Sequence, residues 1–152
     1  MIRTYITFSI RLSFAVGRVV LSSSILQFWD LGGQRDLRTL WSKYYSDCHA
    51  VCFVIDSTDK NSERISDCWK NFDKIISDRR IEGVPVLVLA NKMDNKDAMP
   101  IESIKESFNK HVAQYNVSEA AVMPISALTG WVDNFSSTTV GLADIDNLVE
   151  RA

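Results

Sequence analysis

The stretch FWDLGGQ, Phe28 to Gln34, decides the reading of this chain. A short predicted strand runs from Ile25 to Asp30, and after Leu31 come two glycines and a glutamine. That order describes a strand that stops at a carboxylate and turns tightly, because glycine lets backbone pass close to a bound group with no side chain in the way. Asp30 is then placed to hold a magnesium ion through water, since magnesium keeps several of its waters. The N–H of Gly33 is placed to reach the terminal group of a phosphate chain, and Gln34 to orient an attacking water, as the candidate catalytic residue. The alternative is a plain strand-to-helix turn with a glycine pair, and DLGGQ alone does not choose between the two.

Two further motifs lie downstream, NKMD (Asn91 to Asp94) and SAL (Ser126 to Leu128). The Asp94 carboxylate can accept hydrogen bonds from both the ring N1–H and the 2-amino group of guanine, a pair of donors that adenine does not present. The amide of Asn91 can bridge the base edge and neighbouring loops, and the stem of Lys92 can lie over the base while its charge stays in water. In SAL the N–H of Ala127 can donate to the guanine 6-oxo group while Ser126 braces the loop. Taken singly, NKMD is also a polar turn before a helix, and SAL is also nothing at all. Each of the three motifs follows a strand, where an open α/β sheet places its ligands, and together they read as a guanine-nucleotide site.

The elements between the motifs alternate at the rhythm of an α/β fold. Ala50 to Ile55 (AVCFVI) and Pro85 to Ala90 (PVLVLA) are continuous apolar runs of strand length, as expected of parallel strands buried on both faces. Ile65, Cys68, Trp69, Phe72, Ile75 and Ile76 recur at helical spacing, which predicts a helix over Asn61 to Ser77. Pro100 opens another, with Ile101, Ile104, Phe108 and Val112 on one stripe. Ala121 to Met123 is a short strand, and Leu142, Ile145, Leu148 and Val149 suggest a closing helix. Ser22 to Ser24 form a turn. Upstream, Ile6, Phe8, Ile10, Leu12, Phe14 and Val16 alternate with smaller or polar residues, a period of two that predicts a strand. The same segment carries Arg3, Arg11 and Arg18 and no acid, the composition of a transit peptide, which the strict alternation argues against.

Composition bounds the function. With 46% hydrophobic and 24% charged residues, 152 residues suit one domain with an ordinary core. A net charge of -2 gives no basic footprint for nucleic acid. Cys48, Cys52 and Cys68 are odd in number and lack metal-ligand spacing, which fits a reducing, cytoplasmic setting without disulfide or zinc. No stretch approaches the roughly 20 apolar residues of a membrane span.

WDLGGQ with its tryptophan, LRTLWSKYY (Leu37 to Tyr45), VIDSTD (Val54 to Asp59) and VPVLVLANKMD (Val84 to Asp94) together resemble the ADP-ribosylation factor branch of the Ras-like GTPases. The resemblance covers about Ile25 to Gly130. It implies an α/β, Ras-like P-loop GTPase fold, a mostly parallel sheet flanked by helices. It also implies GTP and GDP as ligands with magnesium, a monomer, and a role as a switch in Golgi and vesicle traffic. The partners implied are exchange factors, activating proteins and trafficking effectors, with the Golgi membrane reached indirectly. Trp29, Trp41 and Tyr45 then belong to the surface that effectors read, although Trp41 and Tyr45 also suit plain packing of a short helix on the sheet.

The chain departs from that pattern. No GxxxxGK[ST] occurs; Gly17 is followed by Arg18 and Val19, so the phosphate cradle and its lysine are absent from the sequence. The first strand and the switch threonine are also missing from their expected places, which makes the domain look amino-terminally truncated, with residues 1–24 an atypical lead. Residues 131–140 look like an insertion, and TTVG (Thr138 to Gly141) resembles the switch threonine sequence out of order. Ile2 replaces the glycine that myristoylation needs. Weak or undetectable GTP hydrolysis is therefore expected of this polypeptide, and a non-catalytic interaction protein is the competing expectation.

Overall fold

The computed structural model describes residues 2–9, 15–20, 25–115, 117 and 119–132, with residues 2–9 described by their backbone. Among them, seven strands form one sheet in the order β2-β3-β1-β4-β5-β6-β7. β1 (Ile2–Ser9), β3 (Ile25–Gly32), β4 (Ala50–Asp56), β5 (Val86–Asn91) and β6 (Ala120–Ser126) run parallel. β2 (Ala15–Val20) and β7 (Trp131–Val132) lie antiparallel on β3 and β6.

The expectation of a missing first strand does not hold. β1 fills the central slot, paired from Ile2↔Ile25 to Ser9↔Gly32 with β3 and from Tyr5↔Ala50 to Phe8↔Phe53 with β4. The alternating segment does serve as two strands, and it avoids a tight turn because β1 and β2 are not neighbours; β3 runs between them. Two strand spacings amount to about 10 Å. The five residues from Ile10 to Phe14 can reach roughly 20 Å when extended, so the connection is easily long enough. A row of buried N–H and C=O groups is thereby paired, at a saving of about 1–3 kcal/mol for each group that would otherwise be orphaned.

α2 (Ser62–Ile76) spans the predicted helix, with Asn61 as its cap: the Asn61 side chain accepts the N–H of Arg64. α3 (Ile101–Val112) begins directly after Pro100. Both helices pack on one face of the sheet, where Val51, Phe53, Ile55, Val86, Val88 and Ala90 meet Trp69, Phe72, Ile75, Ile104 and Phe108. Phe72 is the hub, with ring contacts to Phe53, Trp69 and Phe108 at 5.3, 5.7 and 5.9 Å. The reading of β4 and β5 as buried on both faces is met on this face alone. Cys52, Val54, Leu87 and Leu89, on the other face, are half-buried. The predicted closing helix, TTVG and all but Trp131 and Val132 of the apparent insertion lie outside the described residues.

Candidate functional site

The loops after β5 and β6 are tied into one wall. Asn91 ends β5, and its Oδ1 accepts the N–H of Ala127 at 2.9 Å and of Lys92 at 2.8 Å. The N–H of Met93 donates to the carbonyl of Ile125 at 3.1 Å. Ser126 is buried, and its Oγ accepts the N–H of Thr129 at 3.2 Å while its carbonyl accepts that of Gly130 at 2.9 Å. Gly130, at φ 72°, turns the chain back so that Trp131 pairs with Ser126. Asp94 is exposed at the lip, and its carboxylate has no hydrogen-bond or ion-pair partner among the described residues.

Two further contacts tie these loops. The Ala127 N–H, expected at the guanine 6-oxo group, is donated to the Asn91 amide oxygen, which accepts the Lys92 N–H as well. The Lys92 side chain is 54% exposed, and its ammonium also has a partner. Lys92 adopts φ 68°, an uncommon conformation for a residue with a side chain, and its Nζ reaches Asp56 at the end of β4 at 2.6 Å. Burial raises the Asp56 pKa, but hydrogen bonds from Lys92 and Thr58 outweigh it, and the net shift is downward.

At the end of β3 the turn is held from the other side. The Gly33 carbonyl accepts from Arg38 Nε at 2.7 Å and the Gly32 carbonyl from Trp41 Nε1 at 3.1 Å. Arg38 also pairs with Asp67 of α2 at 2.6 Å, which holds the Asp67 carboxyl below its ordinary range. Gln34 is exposed and starts α1 (Arg35–Arg38), making no side-chain cap bond. Magnesium is held by one or two carboxylates together with phosphate oxygens. Asp30 is the carboxylate that this turn offers, and no group of three or more His, Cys, Asp or Glu among the described residues is arranged around a metal. These residues do not make a metal site on their own. Burial pushes the thiols of Cys48 and Cys52 up to about 11 and that of Cys68 to about 12, so none is a thiolate nucleophile near neutral pH.

The aromatic surface is also redistributed. Trp41 and Tyr45 are each 5% exposed and belong to the core, with Arg80 over the Tyr45 ring at 5.2 Å. Trp29 is half-buried and pairs with the half-buried Tyr44, with ring centroids 5.0 Å apart. The motif KYY does not say which tyrosine faces out; the short 3-10 turns at 41–43 and 45–47 decide it.

The comparisons with known proteins agree with this architecture. Residues 5–136 match the model of the ADP-ribosylation factor family, and the chain belongs to that family. Among curated relatives it is 49% identical over 109 residues to ADP-ribosylation factor-like protein 3 of Saccharomyces cerevisiae, covering 72% of this chain and 54% of that protein. It is 44% identical over 115 residues to ADP-ribosylation factor-related protein 1 of Rattus norvegicus, covering 76% of this chain and 56% of the relative. The chain thus spans about half the length of the curated relatives it matches. In fold it is similar to the Arl6 (BBS3) small GTPase of Trypanosoma brucei, solved with the nucleotide analogue GppNp, at a TM-score of 0.73 and 20% identity over 86% of this chain and 90% of that one.

Proposed function

We propose that this chain carries the guanine-recognising and partner-facing parts of an ADP-ribosylation factor-type switch that acts in Golgi and vesicle traffic. GTP hydrolysis by the 152-residue polypeptide is weak or absent. The observation that carries the reading is the pair of loops after β5 and β6, braced through Asn91, which presents an exposed Asp94 carboxylate with no partner among the described residues. Family membership supports guanine nucleotide as the ligand and regulators and effectors as the partners; the proposed setting is the cytoplasm and the Golgi or trans-Golgi membrane. Hydrolysis in this class rests almost wholly on positioning and neutralising the phosphates, and the sequence contains no GxxxxGK[ST] to do so. The second reading, a non-catalytic interaction protein, is favoured by the half-buried Trp29–Tyr44 pair at the edge of the core. Titration of the purified chain with fluorescent GDP, with Asp94→Asn as the control, tests the proposal. Saturable binding lost in the variant supports it; no binding by the unaltered chain leaves the interaction reading.

A further inference from the structure

A cavity of about 500 Å³ runs under α2 and α3 beside the end of β4. Phe53 and Ile55 of β4, Ile65, Cys68 and Trp69 of α2 and Ile104 of α3 form its walls. Its volume lies in the range of about 300–1,000 Å³ typical of small-ligand sites, which are mostly apolar and aromatic. The thiol in the wall is uncharged near neutral pH, since burial pushes Cys68 up to about 12. Three polar groups of the lining are already engaged. Thr58 Oγ1 donates to Asp56 at 2.7 Å, Ser107 Oγ to the Ser103 carbonyl at 3.1 Å and Trp41 Nε1 to the Gly32 carbonyl at 3.1 Å. A cavity with such walls takes up apolar molecules rather than ordered water.

The rim decides the charge of the occupant. Asp56, Asp59 and Asp67 lie on it, and each carboxylate is closed by a cation: Lys92 at 2.6 Å, Arg64 at 3.0 Å and Arg38 at 2.6 Å. Lys60, on the same rim, pairs with Asp97 at 2.8 Å. A charged head placed there loses hydration and meets charge that is already neutralised. An uncharged head escapes that penalty. The shape favours a chain, because the cavity reaches from Gly33 at the β3 turn past the end of β4 to Ser107, about two turns into α3. At its Gly33 end it also touches Arg38, which holds the Gly33 carbonyl at 2.7 Å together with Asp67 of α2.

From this geometry we infer that the cavity under α2 and α3 binds an uncharged, chain-like hydrocarbon ligand, such as a long-chain alcohol or ester, and that its occupancy is felt at the β3 turn through Gly33 and Arg38. The site is separate from the loops after β5 and β6, so the inference stands or falls independently of guanine recognition. Each further methylene buried tightens binding about fourfold, so affinity climbs at that rate from butanol toward decanol until the cavity is full. Octanoate and octylammonium bind about tenfold more weakly than octanol, because a charged head stays in water and draws about one or two methylenes out with it.

The test is titration of the isotope-labelled full chain with butanol, hexanol, octanol and decanol, and with octanoate and octylammonium, followed by amide chemical shifts. Ser107→Phe and Met99→Phe, at half-buried positions that line the cavity from two segments, are run in parallel with circular dichroism as the check on folding. Saturable shifts at Gly33, Cys68, Trp69 and Ile104 that strengthen with chain length, and weaker binding in a folded variant, support the inference. The alcohol series needs no substitution, so it decides the matter even if both variants fail to fold. No saturable binding of any alcohol, affinity that ignores chain length, or octanoate or octylammonium binding as tightly as octanol overturns the inference. Shifts confined to residues away from the cavity, or unchanged binding in a folded variant, overturn the placement of the site. Shifts at Cys68 and Ile104 with Gly33 unmoved overturn the coupling to the turn.

Discussion

At the ends of β5 and β6, backbone and side-chain hydrogen bonds join two loops to each other and leave the Asp94 carboxylate facing outward. At the end of β3 the bonds run the other way: Arg38 and Trp41 draw the two glycine carbonyls toward α2 and the core. The difference teaches how a nucleotide site divides. On the proposed reading, base recognition belongs to two loops that brace each other and so stand as a unit. Phosphate holding in this class needs a cradle from a third segment, and no GxxxxGK[ST] occurs in the sequence.

The largest expected effect of a substitution is at Asp94. Two hydrogen bonds to a charged acceptor are worth about 1.5–3 kcal/mol each, so Asp94→Ala lowers affinity for guanine ligands by about 100-fold or more, read by titration. Asn91→Ala comes next. It strands the N–H groups of Ala127 and Lys92, lowering both urea stability and ligand affinity by about 1–2 kcal/mol. Ser126→Ala removes the acceptor of the Thr129 N–H and costs about 1 kcal/mol, with affinity falling as the Trp131 hairpin loosens. If Asn91→Ala or Ser126→Ala lowers stability and leaves affinity untouched, the two loops are not one unit.

On the β3 side the effects are smaller. The Arg38–Asp67 pair is partly solvated, so Arg38→Ala costs about 1 kcal/mol or less and leaves guanosine affinity unchanged. The Asp67 pKa is lowered in the folded chain, so its contribution is complete above the ordinary aspartate value of about 3.9 and is lost as the pH falls through the lowered value. Amide exchange from Gln34 to Leu40 accelerates in that acid range, and Arg38→Ala abolishes this pH dependence. The smallest expected effect is at Gln34. Turnover of GTP sits at background in the unaltered chain and in Gln34→Leu alike, and a measurable rate that the variant loses would restore a phosphate site.

Much of this was legible in the sequence. The apolar runs at 50–55 and 85–90 and the spacing from Ile65 to Ile76 specify local structure, and those elements formed as read. The position of β1 was not legible, because alternation marks a strand without saying which neighbours it pairs with, and a parallel partner lies far off in sequence. Asp94 could be singled out from NKMD, since base choice depends on one carboxylate. The engagement of the Ala127 N–H by Asn91 and of Lys92 by Asp56 could not, since both join residues 36 apart. Trp131 did leave a signal, a large aromatic directly after SALTG, but only the β6–β7 pairing sets it beside Asp94.

The most direct test of the division is amide chemical-shift mapping of the isotope-labelled chain during titration with GDP in magnesium. The account predicts shifts at Lys92 to Asp94 and at Ala127 to Trp131, with Gly32, Gly33 and Gln34 unmoved. Shifts at Gly33 and Gln34 as large as those at Asp94 would show that the phosphate side is engaged, and would contradict it.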